Sequence, residues 1–114
     1  MHEAAIAQGI VDAVRQAIPA ARRPAVRVVH VRIGVLRAVW PEALHQAFEA
    51  TVHDSDLAGS RVDIVSVKAT GTCAACGHRF DVSGIPVTCP RCDGVHVTIE
   101  GGDALSVDRV TVEE

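Results

Sequence analysis

From Glu3 the apolar residues Ile6, Ile10, Val14 and Ile18 recur at every fourth position, with Ala7, Val11 and Ala17 beside them. That spacing lays one apolar stripe along a helix, and Pro19 predicts its end. Residues 20–24 read as a short basic loop. Over residues 26–33 the pattern changes to strict alternation, Val29, Val31 and Ile33 facing one way and Val28, His30 and Arg32 the other, which predicts a strand closed by Gly34. Pro41 opens a second helix, since its missing N–H costs nothing in the first turn, and Leu44, Phe48 and Val52 form the stripe, flanked by Ala47 and Thr51. After Gly59, residues 61–68 alternate around Val62 and Ile64 as another strand. A last strand over residues 104–112 follows the Gly101-Gly102-Asp103 turn and carries Leu105, Val107, Val110 and Val112. Its parity slips between Val107 and Val110, predicting a bulge near Asp108-Arg109.

The order helix, strand, helix, strand, insertion, strand predicts an α+β fold, a three-stranded sheet with two helices on one face, plus an inserted zinc-ribbon lobe. Residues 1–68 and the returning strand of residues 101–114 would make one lobe, residues 69–100 the other. With 114 residues and 3% aromatic content, the cores are built from Val, Ile, Leu and Ala, a difficult task for two small lobes. Trp40, the single indole, is expected to pack against the helices as the largest apolar side chain at hand.

The cysteines supply the missing stability. All four lie in two Cys-x-x-Cys pairs, Cys73–Cys76 and Cys89–Cys92, the spacing of a closed tetrahedral zinc cage. Such a site contributes about 10–16 kcal/mol of apparent binding free energy to a ribbon of this size. Gly77 and Gly94, just after each pair, suit the positive φ that these knuckles need. His78 and His96 read as exposed hairpin residues, since four thiolates already fill the zinc. A redox reading lacks its βαβ context, and a disulfide framework lacks any mark of export.

The chain opens Met1-His2-Glu3. The bulky His2 predicts that Met1 is retained, so an α-amine, an amide and an imidazole lie within two residues, a nitrogen-rich set suited to Ni²⁺ or Cu²⁺. Alone, that signal is weak, and His2 reads first as a solvated terminal residue. Taken with Ile33-Gly34-Val35-Leu36, Val39, Pro41-Glu42-Ala43-Leu44, the Phe48 helix, the paired knuckles and Gly102-Asp103-Ala104-Leu105, the chain resembles the HypA/HybF family of [NiFe]-hydrogenase maturation nickel metallochaperones. The resemblance spans essentially the whole chain and implies a nickel lobe and a structural zinc lobe. It implies Ni²⁺ carried by His2 and Met1 beside Glu3, and Zn²⁺ held by Cys73, Cys76, Cys89 and Cys92. It further implies delivery to a hydrogenase large-subunit precursor with a nickel-handling GTPase, and possible service to urease maturation factors. One position departs from the family pattern: where relatives often carry an acid before the Pro-Glu pair, this chain has Trp40, whose indole offers no lone pair to a metal. Glu3, Glu42 or water would then fill that role.

Two other classes fare worse. A zinc-ribbon module docking on nucleic acid or a protein complex is opposed by the net charge of −3 and the absence of Tyr for base stacking. An enzyme is not expected, because the cage has no open position and no phosphate loop or nucleophile constellation is evident. His45 and Glu49 read as a helix surface pair, and His53 likewise. No apolar run approaches the roughly 18 residues that cross a bilayer, and the acidic start argues against a secretory signal. A cytoplasmic location with reduced cysteines is expected. Both links to the zinc ribbon enter from one side of the other lobe, so the state of the cage is expected to influence how the N-terminus is presented.

Overall fold

A computed structural model describes residues 2–113. In chain order the elements are α1 (His2–Ala17), β1 (Val26–Gly34), α2 (Pro41–Val52), β2 (Arg61–Val67), β3 (Ala69–Cys73), β4 (Arg79–Val82), β5 (Val97–Gly101) and β6 (Leu105–Val112). They form a mixed α+β fold that divides into two compact units. The first runs through Arg32, resumes over Val39–Val65 and ends with the segment from Ser106; the second joins Ile33–Ala38 to Ser66–Leu105.

In the first unit, α1 buries Ile6, Ala7, Ile10, Val11 and Val14, the stripe its four-residue spacing predicts. It packs against α2, which buries Leu44, Phe48 and Val52. Val26, Val29 and Val31 of β1, Leu57 and Val62 complete a core that excludes water fully. Burying each such side chain contributes about 1.5–3 kcal/mol before entropy is counted. The sheet order is β2-β1-β6. His30 stitches its three strands together, Nδ1 lying 3.2 Å from Asp63 Oδ2 and Nε2 2.9 Å from Thr111 Oγ1. On β6, Asp108 and Arg109 are both exposed while Val107 and Val110 are both half-buried, so the parity slip is present in the structure.

The basic loop expected over residues 20–24 is instead a 3₁₀ segment, Ala20–Ala25. Its cause lies in α1. Arg23 folds back to donate to the Arg15 and Ile18 carbonyls at 2.8 and 3.0 Å, groups that the helix end leaves unpaired.

In the second unit, β4 and β5 flank β3 in antiparallel register, with Gly71 opposite both Phe80 and Ile99. Ile33–Ala38 is tied in by Gly34 N–H to Ala104 O and Leu36 N–H to Gly102 O, each 2.7 Å. Side chains are barred there: a Cβ on Gly34 would collide with the Gly102 carbonyl. The buried apolar set among residues 66–105 is thin, namely Ala69, Cys73, Val82 and Cys89. Two of those four are cysteines, so little holds this unit besides whatever the thiols hold. No helix among the described residues is long and apolar enough to cross a membrane.

Candidate metal centres

The two cysteine knuckles are built alike. Gly77 N–H donates to Cys73 O and Asp93 N–H to Cys89 O, each at 2.9 Å; Cys73 N–H donates to His78 O and Cys89 N–H to Gly94 O, again at 2.9 Å. The same bonds at the same offsets present the same cup of sulfurs twice. In each pair the first cysteine is buried and the second exposed. The residue after each pair is left-handed, φ 75° at Gly77 and 62° at Asp93. The positive φ expected at Gly94 therefore falls on Asp93, a residue type that tolerates that region. Gly94 serves another purpose: a Cβ there would lie 3.2 Å from the Cys92 sulfur and 3.3 Å from that of Cys73. It is small so that the sulfurs can close in.

All four Sγ atoms lie within 4.8 Å of one another. Cys73–Cys92 and Cys76–Cys89 are each 3.6 Å apart, far outside a disulfide bond. A zinc ion with Zn–S bonds of about 2.3 Å sets its sulfurs about 3.8 Å apart, so the donor set fits such an ion. The thiols are already differentiated. Amide N–H groups of Cys76 and Ala75 outweigh burial and hold Cys73 down to about 7. Cys92 accepts a favourable Gly94 amide, yet its bonds to the neighbouring thiols and its burial push it up to about 12. His78 stacks on Phe80, ring centroids 5.8 Å apart, and His96 is exposed.

Met1 lies outside the described residues, so the expectation placed on it has no geometry here. His2 and Glu3 open α1. The His2 side chain is 52% exposed and that of Glu3 only 15%, with Nε2 and Oε2 3.6 Å apart. Glu3 Oε2 also accepts the Trp40 backbone N–H at 3.4 Å, and that bond leads the causes holding its carboxyl below the usual range. Trp40 is the N-cap residue of α2 and makes no side-chain cap. Glu3 thus sits where a helix start favours negative charge. The expectation that Trp40 packs against the helices as a core residue is overturned: the residue is 69% exposed. The core of this unit is filled without it, Leu44 and Phe48 being fully buried on α2. The Glu3–Trp40 bond is invisible to sequence reading, because it joins residues 37 apart through a backbone amide.

The remaining histidines do not converge on these groups. His45 and Glu49 are exposed on α2 without an ion pair between them, and His53 lies 3.8 Å from Asp54 instead. Among the described residues the cysteines are the one cluster of three or more metal-ligating groups.

A family model described as hydrogenase/urease nickel incorporation, metallochaperone, hypA matches residues 1–112. The chain belongs to the HypA family. Hydrogenase maturation factor HypA of Crocosphaera subtropica is 35% identical over 100% of this chain and 97% of its own length. That of Albidiferax ferrireducens is 31% identical over 99% and 100%. The solution structure of the nickel metallochaperone HypA from Helicobacter pylori superposes with a TM-score of 0.61 at 20% identity, covering 96% of both chains, and supports the fold. A HypA-family chain is a metallochaperone of hydrogenase maturation, a carrier and not a catalyst.

Proposed function

We propose that this chain binds Ni²⁺ at its N-terminus, through the His2 imidazole, the Met1 amine and the first amides beside Glu3, and releases it during [NiFe]-hydrogenase maturation. Zn²⁺ occupies the cage of Cys73, Cys76, Cys89 and Cys92 and holds the second unit together. The reading is carried by the family match across residues 1–112, which includes both the Met-His-Glu start and the cage. The geometry supports a division of labour. Four thiolates leave zinc no open position, whereas the half-exposed His2 imidazole stays within reach of an acceptor. A carrier needs that asymmetry, because a cargo held in a closed cage cannot be handed on.

The client is a hydrogenase large-subunit precursor, with a nickel-handling GTPase as partner; urease maturation factors are a second client class, in keeping with the family's description. The cytoplasm, where thiols remain reduced, is the expected setting. Elemental analysis and calorimetric nickel titration on untagged protein test the reading. One zinc and one weaker, exchangeable nickel per chain are expected. His2→Ala, or an added residue before Met1, should abolish nickel binding and spare zinc; unchanged titrations in both would refute the site.

A further inference from the structure

The two cysteine knuckles repeat the same hydrogen bonds, yet they differ at one place. The left-handed residue after the first pair is Gly77, and after the second it is Asp93, φ 62°. Glycine takes that conformation freely, whereas an aspartate takes it at a cost, so the turn alone does not call for a carboxylate there. Asp93 is exposed, and its side chain has no hydrogen-bond or ion-pair partner among the described residues. Gly94 follows it. This is the one Asp-Gly step of a chain that contains no Asn.

An Asp-Gly step carries its own reactivity. With no Cβ on the second residue, its amide nitrogen approaches the preceding carboxyl carbon with the least hindrance. In the folded knuckle that nitrogen is engaged. Gly94 N–H donates to the Cys92 sulfur. Gly94 O accepts from Cys89 N–H and Asp93 N–H donates to Cys89 O, both at 2.9 Å. The peptide also lies against the cage, since a Cβ on Gly94 would fall 3.2 Å from the Cys92 sulfur and 3.3 Å from that of Cys73. Attack on the carboxyl requires the nitrogen to leave its sulfur, and an ion in the cage holds that sulfur in place.

We propose that Asp93 is a site of covalent modification by spontaneous aspartate isomerisation, closed while zinc fills the cage and opened when zinc is lost. The inference rests on the zinc reading above. In the opened knuckle the Gly94 nitrogen bonds to Asp93 Cγ, and the amide proton and the carboxyl hydroxyl leave as water, giving a cyclic imide. Water then adds to either imide carbonyl. Addition at the side-chain carbonyl breaks the new C–N bond and restores aspartate. Addition at the main-chain carbonyl breaks the original peptide bond and leaves Gly94 joined through Cγ. No oxidant or other reactant is consumed. The isoaspartyl chain runs through the Asp93 side chain and is longer by a methylene, so Gly94 no longer meets both the Cys92 sulfur and Cys89 N–H. A chain that stays without zinc is thereby marked and stops refilling its cage.

The full chain tests this after prolonged incubation at neutral pH with reductant, either zinc-loaded or with a chelator in excess. Isoaspartate is located by peptide mapping with mass spectrometry. Zinc is counted by elemental analysis before ageing and again after zinc is returned. With zinc bound, isoaspartate at residue 93 should form more slowly by about tenfold or more, since only the locally opened fraction reacts. The chelated sample should fail to take zinc back in proportion to its isoaspartate content. Asp93→Gly, which keeps a residue suited to φ 62°, should age under chelator and still refill completely. Isoaspartate absent from residue 93 under chelator, isoaspartate forming equally fast in the zinc-loaded chain, or refilling unrelated to its content overturns the proposal. So does an Asp93→Gly protein that loses zinc uptake in step with the unaltered one. A protein that holds no zinc before ageing overturns the zinc reading itself, and this inference with it.

Discussion

Glu3 and Trp40 meet through a backbone amide, and that contact reorganises the view of both residues. The bond at 3.4 Å fixes a carboxylate at the start of α2, beside the His2 imidazole. It also places Trp40, where the family resemblance leads one to expect an acid, next to Glu3, with its side chain exposed. Under the proposed nickel site two outcomes follow. Ni²⁺ should quench the fluorescence of Trp40, the single indole of the chain; a nickel titration that leaves emission unchanged would separate residue 40 from the metal. Trp40→Asp should tighten nickel binding by supplying an oxygen donor there, measured by competition with a chelator. The same substitution supplies α2 with the N-cap side chain it lacks, worth about 1 kcal/mol, so its melting temperature should rise.

The long apolar stripes were legible at the level of elements. Ile6–Val14 and Leu44–Val52 repeat at helical spacing, and the helices stand where that spacing puts them, α2 starting at Pro41 as expected. The parity slip of β6 was equally visible, because burial follows pattern directly. What stayed hidden depends on bonds between distant residues. Residues 20–24 are polar and end in proline, which suggests a loop, but the Arg23 guanidinium winds them against the end of α1. Asp56 joins that cluster, 2.8 Å from Arg15 and 3.5 Å from Arg23. Burial opposes its ionisation, but the hydrogen bonds and charges of the two arginines outweigh that and hold its carboxyl below the ordinary value. A depressed carboxyl contributes stability that is complete above its unfolded value of about 3.9 and is lost as pH falls through the lower folded value. The melting temperature should therefore drop on acidification through that range, and Asp56→Asn should lower the plateau and flatten the acid limb. An identical acid limb in the variant would remove Asp56 from the account. Phe48→Ala should cost about 3–5 kcal/mol in urea unfolding, since this fully buried ring is the largest side chain of the core.

Across the whole molecule, the two units differ in how they are held. The first has a filled apolar core; the second buries few apolar side chains, and cysteines are half of those buried among residues 66–105. Under the proposed zinc site, chelating the metal at neutral pH should therefore erase amide protection over β3, β4 and β5 while α1 and α2 keep theirs. Protons compete with metal for the four thiolates, so acidification should favour the same loss. Equal loss of protection in both units would show that the cage is not a local support. The cage could be read from cysteine spacing alone, whereas the surroundings of the N-terminus emerged only from the fold. The central claim is that two metals occupy two chemically different places. X-ray absorption at the nickel edge, on protein loaded with one nickel and one zinc, tests it most directly. A nickel shell of nitrogen and oxygen alone, with imidazole scattering that disappears in His2→Ala, is the predicted result. Sulfur in the nickel shell would put the cargo in the cysteine cage and contradict the account.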